Sequence, residues 1–121
     1  MKNADADKIE DRLIDFGARI VGLTDKLPST RAANHIAQQM LRSGTAPAPN
    51  YGEARGAESR ADFIHKLGIA LKELNETQVW LKMVARAKLA SDEAVRLVLD
   101  ECQQLARLLN ASVQTARRNG G

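Results

Sequence analysis

The sequence predicts an all-α fold, an antiparallel four-helix bundle, and three observations predict it. The composition is aliphatic: 44% of the 121 residues are apolar and only 3% aromatic. Ala, Leu, Ile and Val suit helices packed by side-chain contacts, whereas a sheet draws on Tyr, Phe, Trp and Thr. Four stretches repeat apolar residues at spacings of three and four, the mark of a helix with one buried face. The breaks between them are short, so successive helices fold back on one another. A chain of 121 residues suits one domain, 1–121, with its bundle over about residues 8–115 and a tail, 116–121, that frays.

The first helix is expected from Asp5 or Asp7 to Lys26. Ile9, Leu13, Phe16, Ile20, Leu23 and Leu27 follow a 4-3-4-3-4 spacing, the seam of a helix packed nearly parallel to its neighbours. Asp5 and Asp7 offer N-caps and place negative charge in the first turn. Leu27-Pro28 ends the helix, because the residue before proline is pushed out of the helical region. Ser29 is the expected cap of the second helix, which would bury Ala33, Ile36, Ala37, Met40 and Leu41.

The second helix is broken or kinked between Ser43 and Pro49. Ser43-Gly44 is a candidate break, and Pro47 and Pro49 lack an N–H and crowd the carbonyl four residues back. Each would cost about 3 kcal/mol or more inside a continuous helix, but is accepted in a first turn. The expectation is therefore a helix ending near Gly44 and a short second piece from Pro47 or Pro49 to Arg55. The alternative is one kinked helix.

Gly56 closes that piece, and Ser59 caps the third helix, with Asp62 three residues on, close to a capping box. This helix should reach Lys88 and bury Phe63, Leu67, Ala70, Leu74, Leu81 and Ala85. Ser91 caps the fourth, whose seam is Val95, Val98, Cys102, Leu105, Leu109 and Val113. Asp92 and Glu93 suit its positive end.

Composition excludes several classes. No run approaches the roughly 18 apolar residues of a membrane span, and the N-terminus MKNADADKIEDR does not read as a secretory signal. A single cysteine, Cys102, cannot form an internal disulfide, which fits a reducing cytoplasm. The net charge is +3, and it is unevenly spread. Residues 1–28 carry five Lys/Arg against six Asp/Glu, whereas 29–57 carry three against one and 58–90 six against four. The excess sits mid-chain, where it permits polyanion binding.

On a helical wheel the third helix shows a second apolar stripe, Ile69, Trp80 and Met83, lying well away from the core seam among Glu73 and Glu76. Ile14 and Val21 widen the apolar arc of the first helix, and Leu97 and Leu108 that of the fourth. A Trp and Met stripe in water points to a subunit interface, with wide core faces as the bland alternative.

Chemistry-bearing sets are absent from the pattern. His35 and His65 have no Cys or carboxylate at ligand spacing, and the Glu-x-x-His pairs of di-iron bundles are missing, so neither metal nor cofactor is expected. Cys102 lies on a core seam, and Ser43 and Thr45 lack a paired base, so no catalytic residue is assigned. Gly44, Gly52 and Gly56 do not match a phosphate-cradling spacing. What remains is positive charge. Arg42, Arg55, Arg60 and Lys66 flank the break, with Asn50 and Tyr51 between them to hydrogen-bond or stack. Lys72, Lys82 and Arg86 share an outward arc. Such groups could hold RNA or DNA phosphates and one splayed base, although solvated helix charges look the same.

Leu27-Pro28, QQMLRSGT (Gln38–Thr45), Asn50 with Glu53-Ala54, and FIHKLGIALKELNETQVWL (Phe63–Leu81) follow one another in an order that resembles a known family. It is the four helix bundle proteins encoded in intervening sequences of large-subunit ribosomal RNA, the S23-type proteins. The resemblance spans about residues 8–115. It implies a four-helix bundle assembled into a homo-oligomeric ring, a pentamer, with no catalytic residues. The chain is similar also to accessory proteins of diversity-generating retroelements, which bind nucleic acid and a reverse transcriptase. It departs from the family at Pro47 and Pro49, where small non-proline residues are expected.

Two functions compete. One is a non-enzymatic oligomeric module that binds RNA or DNA through Arg42, Arg55, Arg60 and Lys66. The other is an oligomeric scaffold, joined through Ile69, Trp80 and Met83, that recruits a protein partner. An enzyme is the remote third.

Overall fold

A computed structural model of the chain describes residues 3–119. Among them the chain forms five helices: α1 (Asn3–Asp25), α2 (Arg31–Thr45), α3 (Pro47–Arg55), α4 (Arg60–Arg86) and α5 (Asp92–Asn119). Helices α2 and α3 are the two halves of one arm, so the bundle has four corners. α1 packs on α2, α3 and α5, and α4 packs on the same three, while α1 and α4 do not meet. They stand on a diagonal.

Glu10 at the start of α1 lies beside Arg55 at the end of α3, and Gly17 beside Gly44 of α2. Lys66 near the start of α4 lies beside Glu53, Thr77 beside Ser43, and Trp80 beside His35. Both α1 and α4 are thus antiparallel to the α2–α3 arm and run in the same direction. The core fills the space between, with Leu13, Phe16, Ile20, Met40, Tyr51, Leu67, Leu74, Leu81, Leu105 and Leu109 all sealed from solvent.

Every predicted seam residue of the last helix is buried. The seam of the third is buried at Leu67, Ala70, Leu74 and Leu81, joined by Thr77 and Val84 that the pattern had not singled out. Phe63 and Ala85 pack on its edge.

Caps follow from local chemistry. Ser59 and Ser91 accept from the amides of Asp62 (3.0 Å) and Ala94 (3.2 Å), as expected. The cap of α2 is Thr30 rather than Ser29: its backbone is extended, and its hydroxyl accepts from the Ala33 amide at 3.1 Å. α4 ends at Arg86, two residues before the expected Lys88. Lys88 itself turns left-handed, with φ 57°, and the Leu89 amide bonds back to the Val84 carbonyl at 3.0 Å. That closure satisfies the last carbonyls in the way glycine usually allows.

The interruption of the second arm is real but lies later than Ser43-Gly44. α2 runs through both to Thr45, and only Ala46 separates it from α3, still with helical torsions (φ −75°, ψ −34°). Pro47 occupies the first position of α3, where its missing N–H costs nothing. Asn50 covers the exposed Ala46 carbonyl twice, from its amide (3.2 Å) and its side chain (2.9 Å).

Gly44 serves a different purpose from a break. A Cβ there would lie 2.8 Å from two carbons of Ile20, so glycine is what lets α1 and α2 cross closely. On the other side of the arm, Ser43 and Thr77 place their hydroxyls 2.8 Å apart in the core. Thr77 also reaches the Glu73 carbonyl at 2.8 Å. With one proton on each hydroxyl, Thr77 satisfies that carbonyl and accepts from Ser43, so the buried pair leaves no polar atom unpaired.

Candidate nucleic-acid and assembly surfaces

The four basic residues expected to hold nucleic acid do not form one patch. Arg42, on α2, is paired with Glu73 at 3.3 Å and with Glu76 of α4. Arg55, at the end of α3, lies 2.6 Å from Glu10 and 2.9 Å from Asp7 of α1. Those hydrogen bonds, Glu10 first and Asp7 second, hold its proton more tightly than usual. Lys66 lies 3.4 Å from Glu53. Arg60 alone of the four has no carboxylate partner; its guanidinium reaches the Ala116 carbonyl at 3.5 Å. It sits at the rim of an apolar groove of about 630 Å³ over Phe63, Leu108 and Ala111.

Helix packing explains the scatter. Each of the three paired cations bridges a different pair of helices, so it faces the seam next to it and not a common surface. Tyr51 is also unavailable for stacking a base, because it is 1% exposed and packed into the core. Burial pushes its phenol pKa upward.

The expected interface residues divide as well. The Trp80 indole N–H donates to Glu76 at 3.0 Å, and His35 meets the ring edge-on with centroids 6.2 Å apart. Arg42, Glu73, Glu76, Trp80 and His35 thus form one cluster that joins α2 to α4, and Trp80 is half-buried inside the subunit. Ile69 is half-buried beside Ile64 and Lys72. Met83 is open to solvent at 44% exposure, and so is Val79, one turn earlier, at 51%.

A different division of charge emerges on the outer surfaces. The exposed residues of α4 are Arg60, Lys72, Lys82, Arg86, His65, Asn75 and the apolar Ala61, Val79 and Met83, with no carboxylate among them. Glu73 and Glu76 are turned toward α2, where Arg42 holds them. α1 is the reverse: Asp5, Asp7, Asp11, Asp15 and Asp25 are exposed against Lys8 and Arg19. Ile14 and Val21 lie among these aspartates at 52% and 43% exposure. The wheel had flagged Ile14, Val21 and Met83 but not Val79, and which carboxylates turn inward depends on where the neighbouring helix lies.

The remaining polar features are internal. Arg12 of α1 reaches Glu101 of α5 at 2.7 and 3.2 Å, a forked pair that raises the guanidinium pKa. Cys102 is sealed in the core with its sulfur 3.3 Å from the Leu74 carbonyl, and burial pushes the thiol up to about 12. A thiol so held is a packing group and a poor nucleophile. Among the described residues no cluster of three His, Cys, Asp or Glu could hold a metal ion, and no helix is long and apolar enough to cross a membrane.

The sequence matches a family model described as 23S rRNA-intervening sequence protein over residues 8–111. Among solved structures, it is similar to a protein of unknown function from the S23 ribosomal protein family of Bacteroides thetaiotaomicron VPI-5482. The two share 36% identity and a TM-score of 0.84, covering 90% of this chain and 97% of that one. No curated protein matches the sequence.

Proposed function

The chain belongs to the 23S rRNA-intervening sequence protein family, and from that membership we propose a non-enzymatic helical module that works as an assembly of several copies in the cytoplasm. One observation carries this reading: two outer faces each expose a pair of large apolar side chains, Ile14 with Val21 and Val79 with Met83. Exposed pairs of this kind, set among charges, are the usual composition of a protein–protein contact rim and core. The ring and the count of five come from the resemblance noted above. Light scattering at micromolar concentration tests the assembly: a mass several times 13.2 kDa is expected, and a single-chain mass would end the reading.

Binding of RNA or DNA is the second reading, and a specific observation favours it. Beyond Glu101 the last helix exposes Arg107, Arg117 and Arg118 and no carboxylate. Beside it, Asn75, Gln78, Gln103 and Asn110 line a polar slot of about 440 Å³ with Arg107. Repetition around an assembly would multiply such modest contacts. Binding to a structured RNA should then fall steeply with salt, as counterion release requires, and Arg107→Ala with Arg117→Ala should flatten that slope. Absence of binding at about 50 mM salt leaves a scaffold that recruits protein partners.

A further inference from the structure

Two of the exposed apolar faces lie on the diagonal helices, and their charges are opposite. On α1, Asp11, Asp15 and Asp25 share a solvent stripe with Ile14 and Val21. The cations Lys8 and Arg19 lie on the flank of α1 that carries Arg12, at the edge of this stripe next to Asp15. On α4, Lys72, Lys82 and Arg86 share a stripe with Val79 and Met83. Neither stripe is covered by anything within the subunit.

The stripes also agree in spacing. Asp15 and Asp25 are ten residues apart, as are Lys72 and Lys82, about 15 Å at the helical rise. Between them, Ala18 and Gly22 fall at the same offsets as Asn75 and Val79. The acidic face is therefore small where the basic face is bulky. A Cβ on Gly22 would meet nothing within 4 Å in the subunit, so the glycine leaves a shallow gap in the outer surface.

Heights match as well. Gly44 lies against Gly17 and Ile20 on one side of the arm, and its neighbour Ser43 against Thr77 on the other. The middle of α1 and Thr77 are thus level. Lys72 and Lys82 lie five residues below and above Thr77, and Asp15 and Asp25 bracket the α1 crossing at about the same heights. Because α1 and α4 run in the same direction, a rotation about an axis along the bundle brings the stripes together without a vertical shift.

We propose that the outer face of α1 in one copy docks on the outer face of α4 in the next, the helices parallel, with the stripe of Asp11, Asp15 and Asp25 set against the stripe of Lys72, Lys82 and Arg86. Val79 then sits over Gly22. The occupant of each face is a second copy of this chain, and the argument for it is the opposite charge of the two faces at matched height. The contact is heterologous, so it repeats around a ring until the rotation closes. The inference rests on the self-assembly reading above and names its two surfaces.

Two charge-reversed variants test it: Asp15→Lys/Asp25→Lys and Lys72→Asp/Lys82→Asp. All four positions are exposed, so each variant should keep the wild-type helical circular dichroism. Each alone should fall to the single-chain mass of 13.2 kDa in light scattering. An equimolar mixture should regain a multiple of it, because each variant's altered face then meets its complement. A wild type at single-chain mass defeats the assembly reading itself. An assembled wild type whose mass neither variant changes, or folded variants whose mixture stays at 13.2 kDa, overturns the pairing of faces and leaves assembly standing. If Lys72→Asp/Lys82→Asp keeps the wild-type mass but loses binding to an RNA hairpin, the basic face belongs to nucleic acid and the proposal fails.

Discussion

Helices α1 and α4 stand at opposite corners of the bundle and point the same way, and each lays an aliphatic seam into the same core. Leu13, Phe16 and Ile20 on one match Leu67, Leu74 and Leu81 on the other, all without solvent exposure. Their outer sides differ in nearly everything but hydrophobicity: α1 shows aspartates, and α4 shows lysine and arginine with Glu73 and Glu76 tucked against α2. Core demands are met alike in both helices, so the difference outside is free to serve recognition. A bundle needs no such segregation of charge to fold, since scattered exposed pairs contribute only about 0–1 kcal/mol each.

The likeness of the inner faces can be broken most severely. Phe16→Ala and Leu74→Ala should each lower unfolding free energy by about 3–4 kcal/mol, because each leaves a cavity in a sealed core. Urea denaturation measures both, and a much smaller cost for one would mean that the two corners are not equally packed. A smaller effect separates the helix crossing from the outer surface. Gly44→Ala drives a Cβ into Ile20 and should cost about 1–3 kcal/mol. Gly68→Ala on the open side of α4 meets nothing within 4 Å and should gain about 0.5–1 kcal/mol through helix propensity. Thermal unfolding should move in opposite directions for the two.

Cys102 probes the same core from α5. Burial holds its pKa at about 12, above the ordinary thiol value of 9.0, so the folded state keeps a proton that the unfolded chain loses. The associated stability is complete below pH 9 and declines as pH rises from 9 through 12. Its reaction with a thiol reagent at pH 8 should be slow until the protein unfolds; rapid labelling of the native protein would contradict a sealed thiol. The smallest effects belong outside. Asp15→Asn and Lys72→Gln should each change the stability of the dissociated chain by less than about 0.5 kcal/mol, while weakening assembly measured by dilution.

Periodicity made most of this fold legible. A seam such as Val95 to Val113 depends only on its own spacing, and caps such as Ser59 and Ser91 depend on residues three positions away. Gly44 was harder. A glycine that ends a helix and a glycine that admits a neighbour look alike until the neighbour, Ile20, is in place. Trp80 posed the same problem, because a single wheel shows an off-seam indole but not that α2 lies beside it. The basic quartet failed to converge because Arg42, Arg55 and Lys66 each find carboxylates on a different neighbouring helix. The acidic stripe of α1 was readable as letters, yet its counterpart appears only when Glu73 and Glu76 are seen turned away from solvent.

Cross-linking tests the pairing of α1 with α4 most directly. Ala18→Cys and Asn75→Cys in the same chain place one thiol on each face, and they cannot bond within a subunit because α1 and α4 do not meet. Mild oxidation of this double variant should give a ladder of covalent multiples on a non-reducing gel, ending where the ring closes. The Asn75→Cys single variant should remain uncross-linked. A double variant that stays a single chain, or an Asn75→Cys variant that links efficiently to itself, would contradict the head-to-tail account.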